Sequence, residues 1–239
     1  MGMRSGSFTA LTDIKEKTLT LAQFDAGLRE AMADIPDPRP FVCQGNPLDC
    51  DIFIVGFNAA TTMAQPFWDF WDPARGFDKE AWFTAYCQDR ASRPLKPGRT
   101  RRNKVSATRS RIQWVTQGLS PLQALETNIY TRPTPAAADL AHRDRESAVF
   151  RFLVETIRPR LLLAHGVEVR RHLETLFHCT IPQAVTTPVT FRGLGFHIHA
   201  VPHFSRGWSK VRSIALGEST QATYHRLTQG PSGHPYLPE

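Results

Sequence analysis

The sequence predicts an α/β fold with a largely parallel sheet covered by helices on both faces. Two observations carry this. Short apolar runs that read as buried strands alternate along the chain with segments of helical periodicity, as in sheets whose strands are joined by crossover helices. Several of these runs, Asp51-Ile-Phe-Ile-Val55 and Arg160-Leu-Leu-Leu-Ala164 among them, are apolar without alternation, which marks strands buried on both faces. The 239 residues are 41% hydrophobic, enough for one domain with a full core.

Residues 1–19 read as a loosely held lead-in and 229–239, with three Pro and two Gly, as a mobile tail; the domain is expected over 20–228. Thr20 is a helix N-cap, with Leu21, Phe24, Leu28 and Met32 near one face and a stop before Pro36. The strand Asp51–Val55 ends at Gly56. An aromatic segment, Phe67-Trp-Asp-Phe-Trp71, follows, then a helix with Asp78 near its start. Arg109 to Gly118 reads as a helix ending at glycine. Glu126 to Tyr130 is the next strand. Asp144 to Ile157 is a helix stopped by Pro159, Arg160 to Ala164 a strand, and Val167 to Phe177 a helix. Val189 to Phe191 and Phe196 to Val201 are strands around Gly193 and Gly195, and a final helical region follows Ser209.

The net charge of +7 is concentrated. Nine of the 29 Lys and Arg lie between Arg90 and Arg111, with no acid among them, and the rest of the chain is slightly acidic. Pro94, Pro97 and Gly98 favour a loop over 90–111. Such a patch suits phosphate contacts, for which Arg99, Arg101, Arg102, Lys104, Arg109 and Arg111 are candidates, although a charge run is often only a solvated loop. The four cysteines, Cys43, Cys50, Cys87 and Cys179, have no CxxC spacing and fit neither a zinc site nor an iron–sulfur cluster; they read as ordinary thiols of a reducing compartment. No apolar run is long enough to span a membrane, and no signal peptide is expected. The reading is an intracellular, monomeric protein without a resident metal or cofactor.

Ligands of largely parallel sheets bind beyond the carboxyl ends of the strands. The positions of interest are therefore Gly56 onward, Asn128 onward, His165-Gly166 and Pro202 onward. In this order and placement the chain resembles the uracil-DNA glycosylase superfamily. Ile54-Val-Gly-Phe-Asn-Ala-Ala60 is similar to its first motif, a strand ending in Gly, any residue, then Asp or Asn. Pro202-His-Phe-Ser-Arg206 is similar to its last motif, and Thr127-Asn-Ile-Tyr130 to the strand that supplies a base-reading Asn. Phe70 lies twelve residues after Asn58, the offset of a base-stacking Phe in the mismatch-specific branch. The resemblance spans about residues 40 to 215. It departs from the family at Ala59 and Phe204, both of which stand where Pro is usual.

The resemblance implies a three-layer α/β/α sandwich with a central, mostly parallel, four-stranded sheet. It also implies a DNA glycosylase that flips a deaminated base, uracil by default, out of single- or double-stranded DNA and hydrolyses its N-glycosidic bond in base-excision repair. Asn58 then orients a water and His203 supports the departing base. Asn128 reads the base edge, Phe70 stacks on it, and Gly56 and the Phe57 N–H line its pocket. Ser205, Arg206 and Trp208 fall on the DNA side, with Arg206 or Trp208 filling the vacated stack. Two other readings stay open: a protein of the same fold that binds nucleic acid or a modified base without cleaving it, and a metal-dependent hydrolase using His197, His199 and His203.

Overall fold

The computed structural model describes residues 19–229 apart from Thr61, Lys96 and Arg99. The lead-in up to residue 18 and the tail from residue 230 therefore lie outside the described residues. The elements run α1 (Leu21–Ala31), β1 (Phe41–Val42), β2 (Ile52–Asn58), β3 (Trp71–Asp72), β4 (Gly76–Phe77), α2 (Lys79–Ser92), α3 (Ala107–Leu119), β5 (Ala124–Tyr130), α4 (Ala148–Ile157), β6 (Leu161–His165), α5 (Val167–Phe177), β7 (Thr186–Phe191), β8 (Leu194–Val201) and α6 (Lys210–Gln229). Short 3-10 turns occupy Pro47–Asp49, Phe67–Phe70, Ala137–Asp139 and His142–Asp144. No helix among the described residues is long and apolar enough to cross a membrane.

The sheet corrects the four-strand expectation. It has six strands in the order β1-β5-β2-β6-β8-β7. The inner neighbours β5/β2, β2/β6 and β6/β8 pair in parallel, whereas β1 and β7 pair antiparallel at the two edges. Sequence periodicity misses β1 and the first half of β7, of which only Val189 to Phe191 is expected, for local reasons. β1 is two residues long, too short for any pattern. β7 carries Pro188, which an edge strand tolerates because one side of its ladder has no partner to donate to. The β7–β8 hairpin turns at Arg192 and Gly193, both at positive φ (49° and 80°), the conformation of a type I′ turn.

Alternation along each strand sends side chains to two cores. Phe53, Val55, Leu125, Leu162, Ala164, Ile198 and Ala200 pack on one face, with Phe24 and Leu28 of α1, Leu153 of α4 and Leu173 of α5. Ile52, Ile54, Ala124, Leu161, Leu163 and Val201 pack on the other, with Ile112, Val115 and Leu119 of α3 and Leu216, Tyr224 and Leu227 of α6. Gly118 does not end its helix as expected. A Cβ there would lie 2.1 Å from the Ile214 carbonyl oxygen, and one on Gly217 would lie 2.2 Å from that of Val115. The two glycines let α3 and α6 cross in close contact, and α3 continues to Leu119.

The N-terminal boundaries hold where a cap specifies them. Thr20 and Gln23 form a reciprocal capping box on α1, and Asp78 accepts from the Ala81 N–H at the start of α2. The helix expected from Asp144 begins only at Ala148, because Asp144 belongs to a 3-10 turn and is paired with Arg132 at 2.6 Å.

The basic stretch is not one loop. Its first residues complete α2 and its last ones open α3, leaving a connection over 93–106. Arg102 draws that connection onto the end of α2 by donating to the carbonyls of Arg90, Arg93 and Pro94. A cation there satisfies carbonyls that the helix leaves without partners and complements the negative end of its dipole.

Candidate functional site

The even-numbered residues of β2 that face α3 and α6 are Ile52, Ile54, Gly56 and Asn58; α3 covers the first two. Beyond them a cleft of about 380 Å³ opens at the carboxyl ends of the parallel strands. Its lining includes Phe57 and Asn58 from β2, Glu126 and Asn128 from β5, His165 from β6, and His203 from the turn after β8. Arg39 and Phe41, Trp82 and Tyr86 of α2, and Ser106, Thr108, Arg109 and Ile112 at the start of α3 close the other side. The volume lies within the range of small-molecule sites. Asn58, Asn128, Phe57 and His203, far apart in sequence, thus meet in one cavity.

Asn58 is half-buried, and its amide nitrogen donates to Thr134 Oγ1 at 2.9 Å and to the Thr134 carbonyl at 3.3 Å. The Thr134 N–H in turn donates to the Ala59 carbonyl at 3.0 Å. The side chain's donor end is thereby committed to the segment after β5, and its oxygen is the end suited to holding a water.

Asn128 sits beside Gly56 in the β2–β5 register. A Cβ on Gly56 would lie 2.5 Å from Asn128 Oδ1 and 3.2 Å from His165 Nε2. Only glycine lets these two side chains converge over β2, which gives Gly56 its role: it is space rather than a turn.

His203 stands on the rim. The Ser205 backbone N–H donates to its Nδ1 at 3.1 Å, and Ser205 Oγ lies 2.7 Å from the same nitrogen. A backbone N–H can only donate, so Nδ1 is an acceptor, and the proton of the neutral ring is on Nε2. Partial burial pushes the His203 pKa below the ordinary histidine value, against an opposing pull from Glu168. A Cβ on Gly166, at φ 110°, would come within 3.2 Å of the His203 ring.

His165 is buried at 4% exposure and stacks on Phe204 with ring centroids 4.4 Å apart. It meets His203 edge to face at 5.1 Å. Burial first, then the neighbouring His203 and Arg109, lower its pKa to about 3, so the ring is neutral. Among the described residues its Nδ1 has no hydrogen-bond partner. Phe204, one of the two departures from the glycosylase pattern, is thus a wholly buried support for His165.

Glu126 is buried at 5% exposure and held by two cations: Lys79 at 2.9 Å, and Arg109. Burial alone would raise its pKa, but Arg109 and Lys79 outweigh that and the net shift is downward.

Phe70 is not at the cleft. It is 6% exposed, packs on Phe77 with centroids 6.2 Å apart, and lines, with Phe67 and Met63, a small adjoining cavity that shares Arg39, Phe41 and Trp82 with the cleft. The offset of twelve residues from Asn58 is present, but the 3-10 turn Phe67–Phe70 folds that ring into an aromatic cluster. Trp208 is likewise inside, 7% exposed, edge-on to Phe204 and donating from Nε1 to the Pro202 carbonyl at 3.3 Å; it is not positioned as a wedge.

The basic candidates divide. Arg101, Lys104, Ser205 and Arg206 are exposed. Arg102 is spent on the carbonyls that end α2, Arg109 on Glu126, and Arg111 on the carbonyls of Trp208 and Ala107. These three are structural ties rather than open phosphate contacts. Arg99 lies outside the described residues. Among the described residues no three His, Cys, Asp or Glu side chains are grouped to hold a metal ion, so His197, His199 and His203 are not brought together.

His165, Glu126, Arg39 and Trp82 are the site residues that motif reading gives no role. The signal for Glu126 lies in the sequence: a carboxylate inside the strand Ala124–Tyr130 demands a cationic partner. Comparison with protein-family models and with curated proteins finds no match for this chain.

Proposed function

We propose that this protein is a DNA glycosylase of the uracil-DNA glycosylase type, which hydrolyses the N-glycosidic bond of a flipped, deaminated base. The observation that carries the reading is the convergence in one strand-end cleft of an Asn58 whose donor end is committed, an Asn128, and a neutral His203 with its proton on Nε2. The C1′–N bond breaks and its electron pair leaves with the base. A water held by Asn58 Oδ1 adds to C1′, and the proton it releases passes through solvent to the departing base anion, which leaves as the neutral base. His203 Nε2–H donates to the base carbonyl oxygen on which negative charge builds, and such a preorganised donor contributes about 10²–10³ in rate. The Asn128 amide meets the base edge. The Phe57 N–H lines the base pocket, while the Phe57 ring packs edge-on against Tyr130 with centroids 5.0 Å apart.

DNA reaches the cleft past the exposed Arg101, Lys104, Ser205 and Arg206. The test is base release from uracil-containing single- and double-stranded oligonucleotides in EDTA. Release by the parent, lost in Asn58→Ala and His203→Ala, supports the reading. If no deaminated base is released while oligonucleotide binding persists, the protein is a binder that does not cleave. The departure at Ala59, next to the water-holding Asn58, is the feature that favours this second reading.

A further inference from the structure

No step of the proposed reaction uses His165, yet it is the buried polar group of the cleft whose hydrogen bonds are unmet. It is 4% exposed, and among the described residues neither ring nitrogen has a hydrogen-bond partner. The two nitrogens face different surroundings. Nδ1 is enclosed by protein. Nε2 lies 3.2 Å from the place of a Cβ on Gly56, on the lining of the cleft. Buried polar groups are paired as a rule, and a ligand in the cleft is the partner that Nε2 can reach.

Two arguments put the proton of this neutral ring on Nε2. Enclosing an N–H at Nδ1 without an acceptor costs more than enclosing a lone pair, since orphaned donors are the rarer defect in folded proteins. Asn128 Oδ1 also stands 2.5 Å from that same Cβ position. Nε2–H therefore faces an acceptor, where the other tautomer would set two lone pairs against each other. No hydrogen bond among the described residues joins the two groups. They stand side by side over Gly56.

Asn128 is half-buried, and its side-chain amide has no partner among the described residues. The oxygen is the amide atom turned toward Gly56, which leaves the nitrogen on the further side. The strand order β5-β2-β6 places Asn128 on one side of Gly56 and His165 on the other. Across the cleft the polar atoms thus run donor, acceptor, donor: Asn128 Nδ2, Asn128 Oδ1, His165 Nε2. His203 follows β8 and stands beyond His165, the two rings edge to face at 5.1 Å.

The complement of this series is acceptor, donor, acceptor, the edge of a cyclic imide, –CO–NH–CO–. A ring with one carbonyl beside its N–H leaves one donor of the series unpaired. Cytosine sets its amino donor and its ring lone pair against like groups.

We infer that His165 is a base-reading residue, whose Nε2–H binds the second carbonyl of a cyclic imide held at its first carbonyl and N–H by Asn128. That second oxygen has two lone pairs, so it also accepts from His203. The cleft thereby selects imide bases over those with a single carbonyl. This rests on the base-binding reading of the cleft, but not on cleavage.

The experiment is calorimetric titration of the full chain with uracil and with pyrimidin-4-one, which differs from uracil by the missing 2-carbonyl. It is repeated with His165→Leu, His165→Gln and His203→Ala. The parent is expected to bind uracil about tenfold or more tightly than pyrimidin-4-one. In His165→Leu this preference falls by about tenfold, the worth of one hydrogen bond to a buried donor. Pyrimidin-4-one binding stays within a few-fold of the parent in that variant, which shows that the cleft is intact. His165→Gln, which keeps an amide donor, retains part of the preference. Equal binding of the two ligands by the parent overturns the inference. So does a preference unchanged in both His165 variants and lost only in His203→Ala, which leaves His203 as the reader. Binding of neither ligand removes the base-binding reading and the role of His165 with it. Base release from uracil-containing DNA is read separately: release with no imide preference keeps the glycosylase and removes the reading by His165, and the preference without release does the opposite.

Discussion

The Ser205 backbone N–H donates to His203 Nδ1 at 3.1 Å and so fixes which nitrogen of the ring carries the proton. The Ser205 hydroxyl adds a second hydrogen bond at 2.7 Å, but the tautomer does not depend on it. His203→Ala is expected to lower base release by about 10²–10³, the cost of one preorganised donor. Ser205→Ala, which keeps the backbone donor, is expected to lose less than about tenfold on the same scale. Nitrogen-15 spectra of the imidazole check the cause: the Nε2–H form should dominate at neutral pH in both the parent and Ser205→Ala. A dominant Nδ1–H form would remove His203 as a donor to the cleft.

Asn58 owes its orientation to Thr134. Asn58→Ala is expected to abolish base release while oligonucleotide binding stays within a few-fold of the parent, because the role proposed for the residue is to hold a water rather than a phosphate. Thr134→Val removes the hydroxyl acceptor at 2.9 Å but leaves the carbonyl at 3.3 Å. A partial loss of rate is expected there, about tenfold for a net hydrogen bond of ~1 kcal/mol. Unchanged turnover in Thr134→Val would show that the amide is oriented by something else.

Gly56 gives the most direct test of the cleft's geometry. The added Cβ of Gly56→Ala falls 2.5 Å from Asn128 Oδ1, too close for the amide to stay. The substitution should displace Asn128 and weaken base binding by at least tenfold, the cost of roughly one or two hydrogen bonds. Gly56 has no strained backbone to lose, since its φ is not among the positive ones, so the melting temperature is expected to move by only a few degrees. A large fall in melting temperature with binding intact would reverse the assignment.

These residues show what the sequence made legible. The inner strands β2 and β6 were readable because each carries an unbroken apolar run, and Asn58 and His203 were readable because each stands at or just after a strand end; Asn128 lies two residues before the end of β5. The edge at β1 was not: Phe41–Val42 pairs with β5 only through the tertiary fold. Phe70 misled because a count of residues from Asn58 does not reveal the 3-10 turn that carries its ring into the core. The basic stretch misled in a similar way. Charge is visible in the sequence, but Glu126 lies 17 residues from Arg109, and only the folded β5 brings the two together.

The division of the basic stretch into tied and open cations predicts two different phenotypes. Replacing Arg101 and Lys104, both exposed, by Gln should weaken oligonucleotide binding and lower the slope of log K against log salt by about two, one for each phosphate no longer neutralised. Arg109→Gln should instead destabilise the fold. It leaves Glu126 buried with Lys79 alone, and breaking one side of a buried ion pair costs about 3–5 kcal/mol. Salt titration and thermal melting of the two variants separate these effects. A normal melting temperature for Arg109→Gln would return that residue to the phosphate-binding set.

His165 makes the stability of the protein depend on acid. Its folded pKa is about 3 against an ordinary value of 6.5, so below pH 6.5 the unfolded chain takes up a proton that the folded chain refuses. Stability should therefore be complete above pH 6.5 and fall as the pH drops toward 3, with a slope on the order of 1.4 kcal/mol per pH unit for one such group. His172, His197, His199 and His203, all shifted downward by burial, act in the same direction. His165→Leu keeps a neutral, apolar side chain against Phe204 and removes the refused proton. Denaturant unfolding between pH 4 and 7 should show a shallower decline in this variant than in the parent. Because Leu offers nothing to the Asn128 side of the cleft, the same variant should bind a base more weakly at neutral pH. Parallel pH profiles for the two proteins would mean that His165 is protonated in the folded state and that its place between Phe204 and His203 does not exclude the charge.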